Sequence, residues 1–524
     1  MKAAQIIVGV LFVALIIAPL ALRSPAAAGE DGSDARMLII VTPHVAQLRQ
    51  EFAEGFSAWH LENFREPVRV RYVTPGGTSD IIRQLRALYA AAWRDGRIDR
   101  ETFAAEPGTI PIDLMFGGGS YDHGRLVRDL KVTDPEKAEQ VTLPMSVPAG
   151  FSQGQLDEWF GANAIGSQPL YHEDQHWLAT AVSSFGIVYN RDVYERMGLP
   201  APRSFEDLTD PRLMNRLALA DPRQSGSITT TLDYILSHEE WDKGWRMLRE
   251  LSANARYFSG SSTKPPIDVS AGEAAAGLAI DFYGRGQAQS VLRPGQDPSE
   301  GIVGYVDPDG SVYVDPDPIS VLRGGPEPEL ARRFVEYVLT EQGQSIWNFR
   351  PREELGESAG GDGGMGPRRY SLRRLPARRV MYETHFDRFT DRVNPYDLAG
   401  DESPAGWRSS IGPMMGSFGI DTLPELKRAW AALNRARDDE SFPSEVRSEM
   451  ERAFYALPVH EMPDGERLPF TEANYRPIRG SWRDPEWGVR SKIAYQTFFR
   501  EQYERVVEME RRRSLVGERE GAGL

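Results

Sequence analysis

Beyond position 36 the apolar residues fall into two alternating patterns. "MLIIVTPH" is apolar up to a Thr-Pro stop, and "VAQLRQEFAEGFSAWHLENF" then carries apolar residues at helical spacing, so the pair predicts strand, loop, helix. "VRVRYVTPGGTSDIIRQLRALYAAAW" repeats the arrangement, with Ile81, Ile82, Leu85 and Leu88 on one helical face, and "IDLMFGGGSYDHGRLVRDL" makes a third unit around a Gly-rich turn. Successive βα units predict an α/β fold with an open sheet, whose ligands bind beyond the carboxyl ends of the strands. A second α/β region follows in "TAVSSFGIVYN", "RLALADPRQSGSITTTLDYIL" and "GLAIDFYGRGQ", which gives two lobes able to face each other across a cleft. "SSFGIVYN" and the run leading into Asp281 are the expected hinge strands.

The pattern returns to strand at "VYVDPDPISVLRGG" and to helix at "PELARRFVEYVLTEQGQSIWNF". Beyond Pro351 it changes: a Gly-rich "GESAGGDGGMGP", a basic "RRYSLRRLPARR" read as a solvated face, then helical stretches near 423–436, 442–456 and 488–513. The chain therefore divides into residues 1–36, a bilobed region over 37–352 and an extension over 353–524. The first lobe is expected over 37–180 and 290–352, the second over 181–289.

Charge and composition narrow the function. At 524 residues with a formal charge of −15 the chain has no basic excess to neutralise phosphates, which argues against nucleic acid as a partner. Lys2, the apolar run Ile6–Leu22 and a small-residue stretch with Ala26 and Ala28 read as an export signal or an uncleaved N-terminal helical tether, the expected membrane contact of a periplasmic or otherwise extracytoplasmic protein. Cysteine is absent, which excludes disulfides, thiol catalysis and a lipid-modified cysteine.

In order along the chain, "VTPH", "PGGTS", "FGGGSYDHG", "SSFGIVYN", "LADPRQSGS", "AAAGLAIDFYG" and "FVEYVLTEQGQ" resemble the extracellular solute-binding proteins of ABC importers, most closely the iron(III)-binding branch. The resemblance spans roughly 37–352. It implies a two-lobe, periplasmic-binding-protein-like fold of type II with crossing hinge strands. It also implies a non-enzymatic protein that closes on one solute and presents it to a membrane permease.

Two cargoes stand open. Ferric iron is what the resemblance implies, with His44, Asp281 and Tyr283 as its ligands, although the place where such proteins often carry paired tyrosines holds Phe282 and Tyr283. An imidazole, a carboxylate and a phenolate suit a hard cation, and Asp281 and Tyr283 share a face only if that segment is extended. The other cargo is an anionic or polyhydroxylated organic solute held by the Gly/Ser/Thr loops: Thr42, Pro43 and His44; Gly77, Thr78 and Ser79; Gly118, Gly119, Ser120 and Tyr121; Ser184; and Ser225, Gly226 and Ser227. Unpaired N–H groups at helix N-termini favour an oxyanion, but the same residues are ordinary helix caps. Arg223 adds a charge or makes a surface ion pair.

Other functions compete. His172, Glu173 and His176 match the H-E-x-x-H pattern of zinc peptidases, without a helix long enough to present both imidazoles, and "GESAG" spells a serine-nucleophile elbow around Ser358 without its strand or helix. A ligand sensor on the same fold, without transport, is a further reading.

Overall fold

The computed structural model describes residues 35–521 except 135–136, 294–295, 298–299, 309–311 and 357–363, with side chains as far as Arg512. The export-signal or tether segment and Ser358 lie outside the described residues. An eleven-stranded sheet organises the chain. Strands β1 (Arg36–Val41), β2 (Val68–Val73) and β3 (Leu114–Phe116) are parallel. Helix α1 (Ala46–Phe64) follows β1, α2 (Thr78–Arg94) follows β2 and α3 (Ser120–Arg128) follows β3. These are the expected βα units. In α2 the residues Ile81, Ile82, Leu85, Tyr89 and Trp93 are buried, as an amphipathic helix laid on a sheet requires.

The remaining strands are β4 (Ser146–Val147), β5 (Leu178–Asn190), β6 (Leu217–Ala220), β7 (Ala255–Ser259), β8 (Ala276–Ile280), β9 (Val303–Val306), β10 (Val314–Leu322) and β11 (Leu375–Pro376). Their order is β2-β1-β3-β10-β5-β8-β6-β7, with β4 on β10 and with β9 and β11 on β5. Strand β5 is buried at all thirteen positions because both its faces are covered. It changes partners midway: Leu178–Ser184 pair with β10, whereas Phe185–Tyr189 pair with β8. That switch is the crossing from the first lobe to the second. Among the described residues strand β8 pairs only with β5 and β6, so the run into Asp281 belongs to the second lobe and is not a hinge strand; the return passes between β9 and β10.

The chain after 352 rejoins the first lobe. Strand β11 pairs with β5 at Val182 and Ala181, and Leu375 and Ala377 enter the first-lobe core. The basic run is ion-paired rather than a solvated face: Arg368 meets Glu54 and Glu353, Arg373 meets Asp391, and Arg378 meets Glu158. The Glu51 carboxylate accepts the backbone N–H groups of Arg369 and Tyr370 at 2.8 Å each.

Between Ala399 and Trp407 the chain crosses to the second lobe again. Gly400 N donates to Val312 O at 3.0 Å, Ser167 Oγ to the Glu402 carbonyl at 2.7 Å and Ala405 N to Ser237 Oγ at 2.9 Å. Helices α4 (Gly226–His238), α5 (Trp241–Asn254) and α6 (Asp281–Ser290) belong to the second lobe, and α7 (Pro328–Leu339) to the first. Past the third crossing, α8 (Arg408–Met415), α9 (Leu423–Asp438), α10 (Ser444–Tyr455) and α11 (Pro485–Gly521) share one core with α4 and α5. Arg249 on α5 is buried in that core, its guanidinium 5.1 Å from the Phe418 ring and 4.9 Å from the Phe499 ring, with one nitrogen donating to Ala456 O at 3.0 Å.

Trp430 joins the extension to the lobe, stacked on Phe454 and donating to Asn254 Oδ1 at 3.0 Å. Trp430→Ala is expected to cost about 3–5 kcal/mol in urea unfolding, with the extension and second lobe melting as one unit. A separate transition for the extension, leaving the second lobe's midpoint unchanged, would show that the two do not share a core.

Candidate functional site

A cleft of about 500 Å³ opens between the lobes at the carboxyl ends of β1, β3, β6 and β7. From the first lobe come Pro43 and His44 after β1, the Gly76–Asp80 turn before α2, and Gly118 and Gly119 before α3. The second lobe contributes Arg223–Ser227, Gly260–Thr263, Phe282 and Tyr283, the crossings contribute Ser183, Phe185 and Asp315–Asp317, and the segment after 352 contributes Arg374. No side chain caps α2, so its first-turn amides remain open to the cleft as partial positive charge, whereas at α3 the Asp315 carboxylate accepts from Ser120.

Asp317 is the hub of the first-lobe wall. Its Oδ1 accepts Gly118 N at 2.9 Å, and its Oδ2 meets His44 Nε2 at 3.2 Å and the Arg374 guanidinium. Burial holds the His44 imidazolium far below the usual histidine range, with Arg374 and Arg49 acting in the same direction. The ring is neutral at physiological pH and donates to Asp317. Gly117, at φ +91°, gives that ring its place, since a Cβ there would stand 2.2 Å from His44 Nε2. Arg374 lies 3.8 Å above the Phe282 ring, and desolvation brings its pKa down to about 10.

The sequence candidates separate into groups. Pro43, His44, Gly77, Thr78, Ser79, Gly118, Gly119, Ser225, Gly226, Ser227 and Tyr283 line the cleft. Thr42 stands behind it, its Oγ1 accepting His44 N at 3.1 Å. Ser184 donates to Asp307 at 2.9 Å, away from the cleft lining. Ser120 donates to Asp315 at 2.7 Å, and with Tyr121 it faces a second cavity.

Ser225 caps its own helix, its Oγ accepting Ile228 N at 3.4 Å, while Ser227 Oγ stays on the cleft between Ser225 Oγ at 3.2 Å and Ser262 Oγ at 3.4 Å. Arg223 is committed to Asp221 and Asp421. Sequence reading missed Asp315, Asp317 and Arg374. The signal for the first two was "DPDP", two acids inside an apolar strand.

The proposed metal triad divides. His44 and Tyr283 face the cleft, but the strand ends at Ile280, and Asp281 opens helix α6. Two helical positions apart, Asp281 and Tyr283 point in diverging directions. Asp281 is not part of the cleft lining: its Oδ1 accepts Phe282 N at 2.8 Å and its Oδ2 is buried without a partner among the described residues. Among the described residues no group of three His, Asp or Glu is gathered to hold a metal.

The zinc-hydrolase reading is corrected on the same ground. His172 and His176 lie in turns before β5, not on a helix; His172 Nδ1 accepts Asp174 N at 3.1 Å, and His176 Nδ1 meets Ser146 Oγ at 3.0 Å.

Burial pushes the Asp281 carboxyl from 3.8 up to about 7, with Arg285 opposing and Asp307 adding to the shift. The folded state therefore binds this proton more tightly than the unfolded chain, so stability falls as pH rises through that interval. Asp281→Asn is expected to lessen that slope and to raise the melting temperature at pH 8; an unchanged pH–stability profile would refute the assignment. The lobes meet at Gly226, where a Cβ would stand 3.0 Å from Asp122 Oδ2 and 3.3 Å from Thr78 Oγ1 of the first lobe. Gly226→Val is expected to wedge the lobes apart, seen as a larger radius of gyration in small-angle scattering. A profile identical to the parent's would count against close approach there.

Residues 160–350 match the family described as bacterial extracellular solute-binding protein. A phosphoglycerate transport regulatory protein of Salmonella typhimurium is 28% identical over 169 residues, 32% of this chain and 40% of the relative. A putative 2-aminoethylphosphonate-binding periplasmic protein of Salmonella paratyphi A is 24% identical over 240 residues, 45% of this chain and 66% of the relative. The chain thus spans less than two thirds of the length of either relative. Among solved structures, the periplasmic binding protein AfuA of Actinobacillus pleuropneumoniae, with fructose-6-phosphate bound, aligns over 76% of this chain and 98% of its own at 16% identity and TM-score 0.46. A ferric binding protein from Campylobacter jejuni aligns over 75% and 99% at 14% identity and TM-score 0.46.

Proposed function

We propose that this protein is the extracytoplasmic solute-binding component of an ABC importer, and that its solute is a small organic anion bearing a phosphate or phosphonate group. It works by binding, not by catalysis. The observation that carries the reading is Arg374: a guanidinium with 8% side-chain exposure, anchored on one side by Asp317 and on its face by Phe282, on the wall of a cleft into which the uncapped N-terminus of α2 opens. A buried arginine with one anchoring carboxylate keeps further N–H donors for a tetrahedral anion, and helix N-termini add donors without adding lysines. The names of two curated relatives, which refer to phosphoglycerate and to 2-aminoethylphosphonate, support the same solute class.

Closure turns on the partner switch of β5 and on the return between β9 and β10. It buries the solute between Thr78 and Ser79 of one lobe and Ser225–Ser227 of the other, and the closed pair of lobes is what a permease recognises. A sensing role without transport would use the same closure, and the transport-regulatory name of one relative favours keeping that second reading. Ferric iron with a co-bound anion, held through His44 and Tyr283, is the competing cargo.

Calorimetry with 3-phosphoglycerate, 2-aminoethylphosphonate and ferric citrate separates these cargoes. A phosphorylated or phosphonate ligand is expected to bind one per chain, weakened about 10–100-fold by Arg374→Lys, which keeps the charge and loses the fork. Arg374→Ala, in an Asp317→Asn background so that no carboxylate is stranded, is expected to remove binding. Iron bound one per chain and lost in Tyr283→Phe, with no response to either phosphorus compound, would overturn the anion reading.

A further inference from the structure

A second cavity, of about 630 Å³, lies behind Asp315, which together with Thr230 lines both it and the solute cleft. Its walls come from three parts of the chain: Tyr121 and Trp177 from the first lobe, Asp233 from α4, and Arg408 at the end of the third crossing. Asp233 is 5% exposed, and its Oδ1 is buried without a hydrogen-bond partner among the described residues. The opposing charge acting on it is Arg408, and burial prevails, pushing the carboxyl up to about 6. Arg408 is already committed: it donates to Thr230 Oγ1 at 2.6 Å and to Gly226 O at 2.9 Å, and it stacks 4.4 Å from the Tyr121 ring. Asp315, at the partition, accepts from Ser120 Oγ. The cavity therefore has a deep carboxylate that lacks a donor.

The opposite polarity lies at the rim. Arg128, 54% exposed at its side chain, rests 5.1 Å over the Tyr121 ring with Asp129 3.9 Å from its Nε, and Arg479 lines the same cavity with no ion pair among the described residues. Asp129, the acid beside them, is held by Arg125 at 2.7 Å. A lone amine would satisfy Asp233 and leave Arg479 without an anion among the described residues, and a lone acid would do the reverse. A metal ion lacks its ligand set, since no group of three His, Asp or Glu is gathered among the described residues.

We propose that this cavity is a second binding site, for a small zwitterion whose ammonium meets Asp233 and whose acid group meets Arg128 and Arg479, its aliphatic middle lying between Tyr121, Trp177 and Tyr313. Aromatic walls around a buried carboxylate favour an ammonium, and a planar guanidinium favours a carboxylate. The site uses neither Arg374 nor His44, so it stands or falls apart from the solute assignment.

The test is calorimetry on the full chain with glycine, β-alanine, 4-aminobutyrate and 6-aminohexanoate as a ruler of charge separation, and with propylamine and butyrate as single-group controls. One zwitterion of the series is expected to bind at one per chain and to exceed both controls. Asp233→Asn, which is isosteric and removes a buried charge, and Arg479→Ala, at the rim, are each expected to weaken it about tenfold or more. No binding by any zwitterion up to about 10 mM, equal binding by a control, or affinity undiminished in both variants would overturn the proposal.

Discussion

The Asp317 carboxylate, buried and shared among Gly118, His44 and Arg374, is the interaction on which the rest of the structure depends. It joins the loop before α3, the end of β1, the returning crossing strand and the segment after residue 352 at one point. The cost of burying an ionised carboxylate is offset when good donors fill its lone pairs, and removal of one partner from such a pair costs several kcal/mol. The geometry of the first-lobe wall is therefore set by electrostatics as much as by packing. The same pairing holds Arg374 on the cleft wall, over Phe282 of the second lobe.

A third passage between lobes changes what closure means in this molecule. Two crossings, at β5 and before β10, allow rotation about a common axis. The segment Ala399–Trp407 adds another connection, bonded to Ser167 and Val312 on one side and to Ser237 on the other. It ends at Arg408, whose guanidinium lies on Tyr121 of the first lobe while it donates to Thr230 and Gly226 of the second. Under the closure proposed above, opening the cleft would break or stretch these contacts. The extension's helices share the core of the second lobe, so the strap is anchored in a rigid body.

The βα units were legible because periodicity is local: a run such as "MLIIV" reads as a buried strand, and "IIRQLRALYAAAW" reads as one helical face, whatever lies across the sheet. The Gly/Ser/Thr loops were legible for the same reason, and most of them line the cleft. The helices near 423–436 and 442–456 likewise appear at Leu423–Asp438 and Ser444–Tyr455. Asp281 was less readable, since "LAIDFYG" does not say where strand ends and helix begins. The structure ends it at Ile280 and turns Asp281 away from the cleft.

By itself the sequence determined the alternating α/β pattern, the positions of the turns that open helices, the absence of thiol chemistry and the acidic balance, all properties of residues near one another or of the chain as a sum. Only the tertiary structure decided that "RRYSLRRLPARR" packs on the first lobe, that Arg374 faces Asp317 from 57 residues away, and that the extension bonds to both lobes. Ion pairs between distant segments leave no periodic trace, because an arginine in a basic run looks the same whether it ends in water or in a cleft. Burial and the carboxylate that meets it settle which.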